Sequence, residues 1–427
     1  MNDLRFIREH PDAVREALAH RRDDSPLDEL LQADSERREL LGESEALKAR
    51  RNEVSRQIGR MKDRGAAAST IEEMRKVGSR IAELDREVAD RQDRIEEIML
   101  WMPNLPHESV PVGSDDDDNT IVHTWGTPRT FDFEPLPHWE LGERLGILDL
   151  PRAAKLSGAM FTMLRGAGAR LSRALITWML DLHVEQHGYT EIAPAHLVRR
   201  EVMVGTGQLP RLEDDSYRVA EDDTFLIPTA EVPVTNLHRD EILGEADLPL
   251  YYAAYTPCYR REAGAAGKDT RGMLRVHQFD KVEMVKIVAP EDSYAELESL
   301  LANAEAVLQA LDLPYRVAEI CTGDLGAQCA KTYDLEVWSP GVEQWLEVSS
   351  CSNCEAYQAR RMGTRLRRTD RSRRGPLEHV HTLNGSGLAL PRTIISLLEH
   401  YQQRDGSVAI PDGLRSYMGG MEFIAVP

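Results

Sequence analysis

Two runs of heptad-spaced apolar residues near the N-terminus restrict this chain more than any other feature. From about Pro26 to Lys62 the helix breakers are Gly42 and Gly59, and Leu40, Leu47, Val54 and Met61 recur every seven residues, which marks one face of a long helix. After Arg64-Gly65 and a stretch of small residues, Met74, Ile81, Val88 and Ile95 hold one heptad position, and Val77, Leu84, Arg91 and Ile98 hold another. Apolar stripes on both sides of one turn predict an antiparallel hairpin of two long helices over about 26–102. The second helix must stop before Pro103, because the prolines of WMPNLPHESVPVG stand too close together for a helix to continue.

Charge is graded along this hairpin. Lys48, Arg50, Arg51, Arg56, Arg60, Lys62 and Arg64 lie toward the turn, whereas Leu27 to Glu45 is rich in Asp and Glu. Two readings stand: a projecting rod whose far half grips a phosphate backbone, or an oligomerisation coiled coil. The formal net charge of -20 excludes a protein coated in nucleic acid, so any nucleic-acid contact must be local. A second basic cluster runs from Arg360 to Arg374. Asp115 to Asp118 read as a solvated linker that closes the first domain. The expected organisation is an N-terminal domain over 1–110, a linker over 111–120 and a second domain over 121–427.

No stretch approaches the roughly 18 to 20 apolar residues that span a bilayer, and the opening MNDLRFIREHPDAVREAL lacks the apolar centre of a signal peptide. The expected address is the cytoplasm, with no membrane partner. Cys258, Cys321, Cys329, Cys351 and Cys354 are expected as free thiols. Cys351-x-x-Cys354 lacks a second pair at zinc spacing, so it is not read as a metal site.

Beyond Thr120 short apolar segments alternate with helices, such as the one carrying Leu171, Leu175, Trp178 and Leu182, which predicts an α+β domain. Gly188 is placed to cap that helix, and Pro194 to stand where a strand begins or meets an edge. From Arg260 to Ile287, a strand carrying Arg260 and Glu262 enters a glycine-rich loop with Lys268, Asp269 and Arg271. It returns as an alternating strand with Arg275, His277, Phe279, Lys281 and Glu283 on one face. Cations, a ring and a carboxylate on one face fit a polyphosphate, a flat base and an ammonium or hydroxyl; the plainer reading is a solvated polar face. Thr229 and Glu231, then Glu347, Ser349 and Ser350, then Asn384, Ser386 and Arg392 add groups of the same kind, and Gly385 and Gly387 allow close approach of a ligand.

LIPTAEV, YRREAGAAGKDTRGMLRVHQFDKVE, EVSSCSNC, TLNGSGLALPRT and SYMGG together resemble the seryl-tRNA synthetases of bacterial type, class II enzymes, over nearly the whole chain. Arg261, Met160 and Ala356-Tyr357 depart from the family's usual residues. The resemblance implies a helical arm, a catalytic domain with a mainly antiparallel sheet flanked by helices, and a homodimer with Pro194 and the helix before it at the contact. It also implies ATP-dependent activation of L-serine to seryl-adenylate and transfer to serine tRNA, with selenocysteine tRNA as a further substrate.

Residue by residue, the resemblance assigns ATP to Arg260, Arg261, Glu262, Arg275, Val276, Phe279, Glu347, Val348, Ser349, Ser350 and Arg392. Arg260 would hold the α-phosphate, Arg275 the γ-phosphate, and Phe279 with Arg392 the adenine, so that Arg260, Arg275 and Arg392 carry catalysis. Serine falls to Thr229, Ala230, Glu231, Arg260, Glu283, Asn384 and Ser386, and magnesium to Glu347 and Ser350. Lys48, Arg50, Arg51, Arg56 and Arg60 would meet the long variable arm of the tRNA. Two rivals remain: a class II paralogue that charges a carrier protein, which would lack this arm, and a non-catalytic coiled-coil scaffold.

Overall fold

The computed structural model describes residues 1–58, 64–263, 271–368 and 377–427. Met61, Arg60 and Lys62 of the hairpin turn, Lys268 and Asp269 of the glycine-rich loop, and Arg371, Arg373 and Arg374 of the second basic cluster lie outside the described residues. The chain divides into two compact units. One comprises Asn2–Ala19 and Asp23–Met102, the other Met1, His20–Arg22 and Pro103–Pro427.

In the first unit, helices α1 (Leu27–Ile58) and α2 (Arg64–Trp101) form the expected hairpin. Cross-helix ion pairs show its direction: Glu29 meets Arg94 at 2.7 Å, Glu36 meets Arg91 at 2.5 Å, Glu43 meets Arg80 at 3.2 Å and Arg50 meets Glu73 at 2.6 Å. Climbing α1 descends α2, so the helices are antiparallel. The seam is unequal. Met74, Ile81, Leu84, Ile95 and Ile98 of α2 are buried, whereas Leu40, Leu47 and Val54 of α1 are half-buried. Arg91 occupies a heptad position but is exposed, drawn outward by Glu36.

Asp34 is buried in the same unit among Arg8, Arg37 and Arg38, at 2.8, 3.0 and 3.1 Å. Burial alone would raise its carboxyl, but the hydrogen bonds from Arg37 and Arg8 hold it below the ordinary carboxylate value.

The second unit is built on an eight-stranded sheet of β1 (Thr120–Trp125), β2 (Thr190–Glu191), β3 (Leu250–Tyr259), β4 (Gln278–Val288), β5 (Tyr315–Glu319), β6 (Lys331–Ser339), β7 (Gln344–Asn353) and β8 (His381–Ala389). The spatial order is β1-β5-β6-β7-β8-β4-β3-β2. All neighbours are antiparallel except β2 with β3, where Thr190 pairs with Tyr252. Helices α3 (Ala167–His187), α4 (Ser293–Ala310) and α6 (Leu390–Tyr401) cover an apolar face of the sheet, and α5 (Ala356–Met362) follows β7. Gly188 ends α3 in the left-handed conformation at φ 76°, as its capping role requires, and the edge strand β2 stops short of Pro194. The acidic run forms one exposed turn over Asp116–Asp118, directly before β1.

Two sequence expectations about the β3–β4 region change. Strand β3 ends at Tyr259, so Arg260 and Glu262 follow the strand rather than ride on it, and Glu262 takes a left-handed φ of 51°. Strand β4 begins at Gln278, which leaves Arg275 and His277 before it. His277 turns away from the alternating face: its Nδ1 lies 3.1 Å from the carbonyl of Arg260, and its ring packs 5.2 Å from that of Phe161. At His277 the backbone N–H donates to the carbonyl of Met160 at 2.9 Å and the carbonyl accepts from the Arg260 N–H at 2.9 Å, so contact with a remote segment interrupts the alternation before β4.

Candidate active site

Strands β4, β6, β7 and β8, with the segments that precede β4 and follow β8, line a cavity of about 910 Å³. Its lining includes Thr229, Glu231, Arg260, Glu262, Arg275, Val276, Phe279, Glu283, Glu347, Val348, Ser350, Asn384, Ser386 and Arg392. Five separate segments thus converge. Arg261, Ala230 and Ser349 stand outside the lining. Arg261 donates to the carbonyl of Asp214 at 3.1 Å, Ala230 is packed with Val234, Ala254 and Val285, and Ser349 donates to the carbonyl of Ser386 at 2.6 Å.

Two chemically distinct ends appear. At one, Arg275 meets Glu262 at 3.1 Å, Arg392 meets the Glu347 carboxylate at 3.2 Å, and the Arg260 guanidinium lies 5.2 Å from the centre of the Phe279 ring. Arginines paired with partly exposed carboxylates can exchange those partners for phosphate oxygens, whose geometry suits the guanidinium fork.

The other end is acidic and buried. The register of β4 against β8 sets Glu283 opposite Ser386, whose hydroxyl lies 3.4 Å from the Glu283 carboxylate. Lys281 reaches the same carboxylate at 2.6 Å, and Lys281 and Glu283 are both buried. The pairing of β8 with β4 slips at Gly387, where an added Cβ would lie 2.5 Å from His183 Nε2, so glycine is required for this close approach. Glu231 is buried; that burial, then the Glu283 carboxylate, pushes its carboxyl up to about 8. Asn384 Oδ1 is buried and has no hydrogen-bond partner among the described residues, which leaves an acceptor for a cationic ligand.

Three features in or behind the cavity are absent from the sequence expectations. Lys281 lay on the alternating face but received no role. Asp334 and Glu336 also line the cavity from β6, where the alternation of KTYDLEVW carries the signal. Burial, then the Glu347 charge, holds the Asp334 carboxyl well above its ordinary value, and its Oδ1 has no partner among the described residues. Asp334 pairs across the ladder with Ser350. This oxygen-only set with Glu347 would suit a hard cation such as magnesium. The third feature, Gln358 behind Glu231, has no sequence signal in spacing or periodicity.

On the arm, Lys48 meets Asp85 at 2.7 Å, Arg50 meets Glu73, and Arg56 meets Glu53 at 3.2 Å. Arg51 is half-buried and Arg50 and Arg56 are exposed, while Arg75 and Lys76 add cations from α2 at the same end. The five cysteines are buried and free of disulfides, and no described helix is long and apolar enough to cross a membrane.

Residues 1–106 match the model of the seryl-tRNA synthetase N-terminal domain, and residues 213–401 that of the class II tRNA synthetase core domain (G, H, P, S and T). The chain is 56% identical to the serine–tRNA ligase of Geobacter sulfurreducens over 424 residues, covering 99% of this chain and 100% of that one. Among solved structures, the seryl-tRNA synthetase of Pyrococcus horikoshii complexed with ATP superposes with a TM-score of 0.95 at 40% identity, covering all of both chains. The cytoplasmic serine–tRNA ligase of Naegleria fowleri in complex with AMP gives 0.89 at 30% identity, covering 99% and 98%.

Proposed function

The chain belongs to the seryl-tRNA synthetase family of class II aminoacyl-tRNA ligases, and from that premise we propose that its cavity joins L-serine to ATP and passes the seryl group to serine tRNA. The observation that carries this reading is the division of one cavity into an arginine end and a buried carboxylate end.

A serine carboxylate oxygen attacks the α-phosphorus, and pyrophosphate leaves as the bond to it breaks. No covalent enzyme intermediate is needed, so the protein's task is alignment and neutralisation of developing charge. Arg260 holds the α-phosphate and Arg275 the γ-phosphate, released from Glu262 to do so. Phe279 and Arg392 take the two faces of adenine. Glu347 and Ser350 would hold magnesium, which when bound offsets the charge of the phosphates. Glu283 and Ser386 receive the serine hydroxyl, and Thr229, Glu231 and Asn384 the ammonium. A pocket that hydrogen-bonds a hydroxyl rejects alanine strongly, because the analogue leaves buried polar groups unpaired. The terminal ribose hydroxyl of the tRNA then attacks the seryl-adenylate carbonyl and AMP departs.

The far half of the arm, with Lys48, Arg50, Arg51, Arg56 and Arg60, is assigned to the long variable arm of serine tRNA, read through backbone and shape, and selenocysteine tRNA is charged by the same contacts. The enzyme acts as a homodimer with α3 and Pro194 at the contact. Serine-dependent ATP–pyrophosphate exchange followed by charging of total tRNA tests the whole. Both are expected; exchange without charging would favour a carrier-protein ligase, and absence of exchange would leave only a scaffold.

A further inference from the structure

Behind Glu231, outside the cavity lining, stands the amide of Gln358 on α5. Gln358 is 1% exposed and Glu231 3% exposed. The amide nitrogen lies 3.0 Å from the carbonyl of Thr206 and 2.7 Å from Glu231 Oε1, and the amide oxygen lies 2.7 Å from the Thr382 hydroxyl. A backbone carbonyl can only accept, so the nitrogen must face Thr206 and Glu231, and Thr382 must donate. Flipping the amide would set its oxygen against two other oxygens. The backbone of Glu231 is also tied, its N–H donating to Thr229 Oγ1 at 3.2 Å.

We propose that Gln358 is a positioning residue for amino-acid binding: it pins one oxygen of Glu231 so that the other is presented to the ammonium of serine. The proposal rests on the assignment of Glu231 to that ammonium. With Oε1 committed to Gln358, one carboxylate oxygen serves the cavity, and its direction is set through Thr206 and Thr382 by two distant parts of the chain.

A proton is linked to this event. The groups facing Glu231 are Glu283 and Lys281 from β4, Cys329 from the segment before β6, and Cys354 just after β7. Burial, then Glu283, then Cys329 raise the Glu231 carboxyl to about 8, against the smaller opposing effects of Gln358 and Lys281. At pH 7 the carboxyl of the empty cavity carries its proton. An arriving ammonium stabilises the carboxylate, and the proton leaves to the buffer. Serine affinity therefore rises with pH toward 8 and levels off above it.

Calorimetric titration of serine into the full-length protein at pH 7, in phosphate and in Tris, should show release of up to about one proton. Gln358→Met keeps the volume and removes the donor. It should raise the KM for serine about 10- to 50-fold, with the KM for ATP within about twofold, and move the midpoint of the serine pH profile upward. Thr382→Val, which frees the amide to turn, should act in the same direction by about two- to fivefold. Equal rises in both KM values, or a pH midpoint that stays in place, would overturn the proposal. Should Gln358→Met not fold, Thr382→Val decides alone, and an unchanged serine KM and pH profile refutes it. Glu231→Gln measured in parallel separates the two levels: no effect on serine there means the serine assignment itself fails, whereas an effect there without one at Gln358 sinks only the positioning role.

Discussion

The arm and the catalytic unit use the same side chains under opposite conditions. On the arm, arginine and carboxylate meet at the surface across two helices, as in Arg80 with Glu43 and Arg94 with Glu29, where each partner is between 40% and 49% exposed. In the cavity, Lys281 and Glu283 meet at 8% and 1% exposure. Exposed pairs are screened and contribute little each, so the arm's charges are free to serve a partner. A buried pair cannot lose one member without stranding the other, so the charges at this end of the cavity are fixed by the fold and changed only by a ligand.

Three variants test this contrast. The largest effect is expected from Glu283→Ala, which strands Lys281 and removes the hydroxyl's acceptor: serine-dependent exchange should fall by about 1,000-fold or more. Circular dichroism should remain native, and normal exchange would show that the serine pocket lies elsewhere. Next comes the combined change of Arg50, Arg51 and Arg56 to Ala. Charging of tRNA should fall about 10- to 100-fold and become less salt-dependent, while exchange stays within about twofold. Equal loss of both activities would remove the arm from tRNA binding.

The smallest effect tests an exception within the arm, the buried Asp34. Asp34→Asn should cost about 1.5–3 kcal/mol of arm stability, read by chemical denaturation. Because the folded carboxyl titrates below its unfolded value, its contribution is present above that unfolded value and is lost as pH falls through the folded one. The wild-type arm should therefore lose stability on acidification, and the Asn variant should lose less. Equal acid sensitivity would show that the three arginines do not depend on this charge.

Legibility followed the range of the interactions. The hairpin was readable because a heptad is a local signal, and its exception, Arg91, becomes apparent only with Glu36 placed opposite. The face of β4 from Phe279 to Glu283 was likewise visible as alternation, but His277 was misplaced because the strand starts one residue later. The cavity assembles Thr229, Glu283, Glu347, Ser386 and Arg392 from remote segments, and only family resemblance joined them before the fold did. Asp334 sits on an alternating strand whose signal passed unused. Gln358 could not be found at all, since its meaning depends on Thr206 and Thr382 arriving at one amide.

The hairpin's ion pairs carry one more implication. Residues 29, 36, 43 and 50 of α1 are spaced by sevens, and their partners span from 94 down to 73, three sevens in all. Adding seven residues to both helices at facing points would lengthen the rod by about 10.5 Å and restore every pairing beyond the insertion. Adding them to one helix alone would put every later pair out of step. Reach is therefore a property this arm can change in paired increments without redesign of its seam, so that descendants of one sequence could suit partners of different length.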